Sequence, residues 1–390
     1  MAASIPKVLL VCNNRTRDQY FTPSDLERLS AFATWEWLRL EGGNAFGPNE
    51  DLAAIRQLTS RIGDVEGVVV CHGSPTVSAD MMDQAPNLKV VGELEGDRFA
   101  YRIDVEAAWQ RGIRTVDTTN GSSYPVAEWA LAMILVSLRN AGGYFRRIIA
   151  GDTSRPPESD FGYIHGELTG KRVGLIGCGH VGRLLIKFLR PFEVDIQVYD
   201  PYLSSEMPDA LGFVKTSLEK ILSESDVIAC LAPLTPATQG MIGQRELGMI
   251  APNSVFVNVS RGAIVDSDAL ITRLKRGDIV AGLDVFDPEP IPPDSEIIGL
   301  PNVFLTPHIA GVTASSYPRF LTLNQGTTNL SSNDIENCGT AIQQKIEGLR
   351  GCEIGTLAAV ALAANSKRGR SCELACAYYK RYGVGCLPAE

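Results

Sequence analysis

The sequence predicts an α/β protein of two Rossmann-like domains, each a doubly wound parallel sheet covered by helices. Three observations predict it. Short runs that are apolar at nearly every position, such as residues 67–71 (GVVVC) and 227–230 (VIAC), recur between helix-like stretches. A strand without polar alternation is buried on both faces, as in a parallel sheet. A glycine-rich turn, Gly177-Cys178-Gly179-His180-Val181-Gly182, lies between one such strand and a helix. The third observation is length: 390 residues exceed one ordinary core and suffice for two.

Composition narrows the class. Hydrophobic residues make up 45% and charged residues 21%, too apolar for a disordered chain. The net charge of −9 gives no basic face for general nucleic-acid binding. No run of about 18 apolar residues offers a membrane span. MAASIPKVLLV lacks the apolar core of a secretory signal, so a cytoplasmic location with reduced cysteines is expected.

In chain order, residues 7–11 (KVLLV) open a first series of strands, continued by 67–71, 88–92 and 113–116. A helix is expected from Ser24, as N-cap, through Leu26, Leu29 and Phe32. Residues 124–138 form a long helix, apolar on most sides, with Pro125 near its start. Such a helix is buried on most sides and suits a domain or subunit contact. Residues 151–163 are loop-like. A second series then runs through 172–176, 196–199, 227–230, 255–258, 280–283 and 303–305.

The glycine-rich turn carries the first chemistry. A strand (172–176) precedes it, a helix (181–189) follows, and Asp200 ends the next strand 18 residues after Gly182. Gly177 permits the tight turn, Gly179 admits a pyrophosphate to the backbone, and Gly182 packs helix on strand. Asp200 accepts hydrogen bonds from ribose hydroxyls and repels a 2′-phosphate, so NAD is expected rather than NADP. Cys178 is read as a small residue that fits.

Three strand ends carry the rest: Asn258-Val259-Ser260-Arg261-Gly262, Asp284-Val285-Phe286-Asp287-Pro288-Glu289, and Thr306-Pro307-His308. Ligands of doubly wound sheets bind beyond the carboxyl ends of strands. Hydride reduction of a keto acid needs a cation for carboxylate and carbonyl and a proton donor for the new hydroxyl. Arg261 can fork two hydrogen bonds to such a group. His308 is the acid/base, and Glu289 would stabilise its imidazolium. Asp284 is placed to hold the nicotinamide or its ribose.

These motifs resemble the D-isomer-specific 2-hydroxyacid dehydrogenases. The resemblance runs from about residue 85 to 316, on GLIGCGHVGR (174–183), SESDVIACLAPLTPAT (223–238), NSVFVNVSRGAIVD (253–266), GLDVFDPEP (282–290) and LTPHIAGVT (305–313). It implies Arg261, Glu289 and His308 as the catalytic residues. It adds His180, Val181, Pro233, Thr238, Ser260, Asp284 and Gly311 to the cofactor contacts. It also implies a discontinuous flavodoxin-like substrate domain (1–123, with a return helix at 313–330), an NAD-binding domain (124–312), and a homodimer. The expected activity is NAD-dependent interconversion of a D-2-hydroxy acid and its 2-keto acid. The alternative is a non-catalytic, NAD-sensing protein like the C-terminal-binding-protein corepressors.

Two segments depart from the family. The family's substrate loop offers backbone amides to the substrate carboxylate. Here it reads Gly92-Glu93-Leu94-Glu95-Gly96-Asp97, so Leu94, Glu95 and Gly96 are the expected contacts, with three carboxylates nearby. A phosphorylated substrate would be repelled unless Arg98 or Arg102 reached it. His72-Gly73 reads either as a turn or as part of the substrate side. Residues 331–390 hold five of the nine cysteines and seven basic against six acidic residues, in an otherwise acidic chain. They read either as a genuine added tail or as an out-of-frame or mis-spliced end. They carry no metal spacing, and no metal is expected.

Overall fold

The structure is a computed structural model that describes residues 5–320, apart from 44–46, 96–98, 117, 119 and 156–165. The described chain forms two compact units: residues up to Ser122 together with the chain from Ala314, and Ser123–Thr313.

The first unit holds five parallel strands: β1 (Lys7–Cys12), β2 (Thr34–Arg39), β3 (Gly67–Val70), β4 (Val90–Glu93) and β5 (Arg114–Val116), in the order β2-β1-β3-β4-β5. Its helices are α1 (Asn14–Tyr20), α2 (Pro23–Ser30), α3 (Leu52–Ile62), α4 (Ala79–Asp83), α5 (Phe99–Arg102) and α6 (Val105–Gln110). The strands bury both faces because alternate residues enter different cores. Leu9, Val11, Val68, Val70 and Val91 pack with Leu58, Met81 and Ala108. Val8, Leu10, Val69 and Val90 pack with Tyr20, Phe21 and Leu29. The order reverses between β1 and β3, the switch point of a flavodoxin-like sheet.

Three expectations change here. The second helix is capped by Thr22, whose Oγ1 accepts from the Asp25 amide, so Ser24 lies inside it and Phe32 beyond it. Thr34–Arg39 is a strand that apolar runs do not reveal, because an edge strand keeps polar residues. Where a return helix is expected, the described part is a 3-10 turn at Tyr317–Phe320, and the Tyr317 ring lies on that of Tyr20 with centroids 5.0 Å apart. The rest of 313–330 from Leu321 and the segment 331–390 lie outside the described residues, as does most of 151–163.

The second unit opens with α7 (Ser123–Ser137) and α8 (Ala141–Ile149). Seven strands follow: β6 (Arg172–Ile176), β7 (Asp195–Tyr199), β8 (Val214–Lys215), β9 (Val227–Cys230), β10 (Val255–Asn258), β11 (Val280–Leu283) and β12 (Val303–Leu305). All pair in parallel, in the order β12-β11-β10-β9-β6-β7-β8, with the switch point between β6 and β9. Helices α9 (His180–Leu189), α10 (Met207–Leu211), α11 (Leu218–Glu224), α12 (Gln244–Met249) and α13 (Ser267–Leu274) join them.

The apolarity of α7 has a cause within this unit. Ala130, Met133 and Ile134 are fully buried in a core shared with Val173, Leu185, Val257 and Val280. A Cβ on Gly282 of β11 would lie 2.7 Å from Ser137 Oγ, so the helix rests directly on the sheet. The next helix, α8, is seated on β12: a Cβ on Gly142 would lie 2.9 Å from the Val303 carbonyl oxygen. Arg146 donates to the carbonyls of Ile298, Leu300 and Val303. No helix among the described residues is long and apolar enough to cross a membrane.

Candidate active site

The segments singled out in the second unit all follow the carboxyl ends of its strands. The turn after β6 has the form the glycines suggested. Gly177 has φ +96°, and a Cβ there would lie 2.8 Å from the Ala232 amide nitrogen. A Cβ at Gly182 would lie 2.8 Å from the Gly177 carbonyl, so α9 crosses the turn at close range. Gly179, by contrast, faces open space within 4 Å. His180 and Val181 open α9. Asp200 closes the turn from the end of β7, accepting from the Cys178 amide at 2.9 Å through Oδ2 and from the Tyr202 amide through Oδ1. These residues suit a dinucleotide: an open glycine backbone, a helix N-terminus for phosphate and a carboxylate at the next strand. Cys178 is buried, and burial pushes its thiol up to about 12, so it is no ready nucleophile.

After β9, Thr238 Oγ1 donates to the Pro233 carbonyl at 2.6 Å and accepts from the Thr235 amide, closing that loop on itself. After β10, the buried Asn258 shapes the turn. Its Oδ1 accepts from the Ser260 amide and its Nδ2 donates to the Arg261 carbonyl. Ser260 Oγ donates to the Ala232 carbonyl, tying this turn to the loop after β9 that lies against Gly177. Arg261 Nη1 donates to the Ser260 carbonyl at 2.7 Å.

After β12, His308 has φ +55°, a backbone conformation unfavourable for a residue with a Cβ. Asp284 holds it there. Its carbonyl accepts from the His308 amide, and its carboxylate accepts from Thr306 Oγ1 and the amides of Ile309 and Ala310. Asp284 is fully buried, and burial raises its carboxyl above the usual range despite these donors. The expected nicotinamide contact is therefore turned inward here, and Asp284 positions the turn that carries His308 and leads to Gly311. Sequence reading missed the role of Asp284, whose amide partners lie on another strand end, and that of Asn258, although its turn to Ser260 and Arg261 is local. The outcome is that His308 Nδ1 lies 2.8 Å from Glu289 Oε1, with both side chains largely buried.

The loop after β4 in the first unit differs from its expected form. Leu94 is 1% exposed, its amide donates to the Val70 carbonyl and its carbonyl accepts from Thr118 Oγ1. Both backbone groups are engaged within the chain, so Leu94 offers no amide to a ligand. Gly96, Asp97 and Arg98 lie outside the described residues. Glu95 Oε1 accepts from Tyr20 Oη at 2.7 Å and pairs with His72 Nε2 at 2.8 Å. Arg102 does not reach outward: it is fully buried, 3.6 Å from the equally buried Glu93, and lies 3.4 Å from His72 Nδ1.

Cys71, His72 and Glu95 bring ligand-type atoms within 4.8 Å of one another. A guanidinium can only donate, so Arg102 places the imidazole hydrogen on Nε2, toward Glu95. Burial holds the Cys71 thiol well above its ordinary range. His72 and Glu95 therefore read as members of a hydrogen-bonded network with Tyr20 and Arg102, and Cys71 as a buried thiol beside it, rather than as a metal centre.

The fold and site define a two-unit, nucleotide-binding α/β protein with a His–Glu pair at its strand ends. The model of the D-isomer specific 2-hydroxyacid dehydrogenase NAD binding domain matches residues 131–310. D-3-phosphoglycerate dehydrogenase of Methanocaldococcus jannaschii is 34% identical over 254 residues, 65% of this chain and 47% of that protein. Glyoxylate reductase of Pyrococcus furiosus is 33% identical over 264 residues, 66% of this chain and 76% of the relative. Among solved structures, D-mandelate dehydrogenase of Rhodotorula graminis matches with a TM-score of 0.68 and 25% identity, over 81% of this chain and 91% of that one. The chain belongs to the D-isomer specific 2-hydroxyacid dehydrogenase family. Its second unit contains the family's NAD-binding domain, and NAD is its cofactor. The chain spans about half the length of the phosphoglycerate dehydrogenases it matches.

Proposed function

We propose that the chain is an NAD-dependent oxidoreductase that interconverts a D-2-hydroxy acid and its 2-keto acid. The observation that carries this is the His308–Glu289 pair, 2.8 Å apart, with His308 on a turn held by Asp284. Bound NADH supplies the hydride. Glu289 engages Nδ1 of His308 and stabilises the imidazolium, so proton exchange with the substrate oxygen falls to Nε2. Arg261 binds the carboxylate and polarises the carbonyl through its fork of N–H donors. Glu95 and Gly96 contribute to the substrate side, without the Leu94 amide, which is engaged by the Val70 carbonyl. Pro233, Thr238, Ser260 and Gly311 contribute to the cofactor side. The test is NADH consumption with glyoxylate, hydroxypyruvate, pyruvate and bulkier keto acids. Tight NADH binding without turnover of any of them would favour the non-catalytic reading instead.

Two specificity predictions arise here. Asp200 follows β7 at the position a ribose-binding carboxylate takes, so kcat/KM is expected to be higher with NADH than with NADPH. Asp200→Ser with Pro201→Arg should relax that preference; equal use of both cofactors by the natural chain would remove the argument. The second concerns phosphorylated acids. Arg102 is committed to Glu93, and Glu95 adds negative charge to the substrate loop. Turnover of 3-phosphoglycerate is therefore expected to be poor beside that of uncharged-tail keto acids, and efficient turnover would show the electrostatic argument wrong.

A homodimer fits the surface of α8. With Arg146 holding its other side to the 298–303 segment, Phe145, Ile148 and Ile149 are 65%, 58% and 72% exposed. Light scattering should give twice the chain mass, and Phe145→Glu with Ile149→Glu should yield monomers. A cytoplasmic location agrees with Cys12, Cys71, Cys178 and Cys230 being buried free thiols.

A further inference from the structure

The start of α9 gathers positive character. Its first turn contains no acidic residue, and its N-cap, Gly179, has no side chain to accept from the amides of that turn. The helix macrodipole is positive at this end, where a cation is unfavourable. Arg183 is nonetheless folded back over it: Nε donates to the Gly179 carbonyl at 3.2 Å, and Nη2 lies 3.2 Å from His180 Nδ1. A guanidinium has no lone pair to offer, so Nδ1 of His180 accepts and the ring hydrogen sits on Nε2. The Cys178 amide is already donated to Asp200, so one backbone donor of the glycine turn is engaged within the chain.

We propose that Arg183 is a binding residue for the diphosphate of the dinucleotide, and that it orients His180 so that Nε2–H donates to the same group. The turn supplies backbone amides; Arg183 supplies the balancing charge, and His180 a second side-chain donor. This rests on the NAD assignment; His180 is already an expected cofactor contact, and Arg183 is the residue added to it. An arriving diphosphate converts an unfavourable cation at the helix start into a favourable pair, which the nicotinamide and adenine ends do not influence.

The test is calorimetry on the full chain with NADH and with ADP-ribose, which has the diphosphate but no nicotinamide. Arg183→Gln is expected to weaken both ligands by about tenfold and to reduce the salt dependence of binding. Arg183→Lys should recover part of the loss, as a point charge without the fork. His180→Asn, which keeps a neutral donor, should bind more tightly than His180→Leu. Arg190→Gln, at the far end of the helix, should bind like the natural chain. Unchanged ADP-ribose affinity in Arg183→Gln would overturn the proposal, as would an equal loss in Arg190→Gln, which would mark a general charge effect. If Arg183→Gln fails to fold, the Lys and His180 variants decide the matter. A natural chain that bound neither ligand would overturn the cofactor assignment itself, a distinguishable failure.

Discussion

His308→Ala is expected to lower kcat for keto-acid reduction by a factor on the order of 10²–10⁴, with NADH affinity little changed. The side chain sits on a turn whose backbone bonds go to Asp284, so truncating it removes the proton donor and leaves the turn's scaffold in place. Glu289→Gln separates charge from simple packing. The carboxylate lies 2.8 Å from Nδ1, and an amide of the same shape can accept there but carries no charge to balance a proton on the ring. The variant should therefore unfold in denaturant like the natural chain and bind NADH as tightly, yet lose kcat by a factor on the order of 10². A kcat equal to that of the natural chain would remove Glu289 from the mechanism.

Gly262→Ala should produce the other large effect, on stability and activity together. A Cβ at this position would lie 1.9 Å from the Phe286 carbonyl carbon and oxygen and 2.6 Å from the Asp287 amide nitrogen. These are backbone atoms, so no rotamer change relieves the overlap. Either the turn carrying Arg261 or the segment leading to Glu289 must move. Overpacking of this kind costs about 1–3 kcal/mol or more. A displacement of about 1 Å at a reacting group costs on the order of 10² in rate. Denaturant unfolding and kcat/KM should therefore both fall. Gly248→Ala is the control: it lies exposed in α12, and its Cβ would meet nothing within 4 Å, so it should leave activity intact. A Gly262→Ala chain as stable and active as the natural one would show that the contact relaxes freely.

The α/β class and most strands of both sheets were legible in the sequence because each buried strand is its own hydrophobic signal. The glycine turn was legible because its three glycines answer separate steric demands within a few residues, and Gly177 and Gly182 meet backbone in the structure as those demands require. Thr34–Arg39 was not legible, since an edge strand has no need of an apolar run.

The sequence by itself determined which residue types could do the chemistry: an arginine, a glutamate and a histidine after successive strands, and an acidic residue at the ribose position. Only the tertiary structure decided what several of them touch. It turned Asp284 inward onto the amides of Ile309 and Ala310, engaged the Leu94 amide with the Val70 carbonyl, and buried Arg102 against Glu93. It also folded Arg183 back over the start of α9. The physical reason is common to these cases. A polar group's role depends on which partner satisfies it, and burial makes an unsatisfied group costly. Those partners come from other strands and turns, whose approach no local pattern encodes.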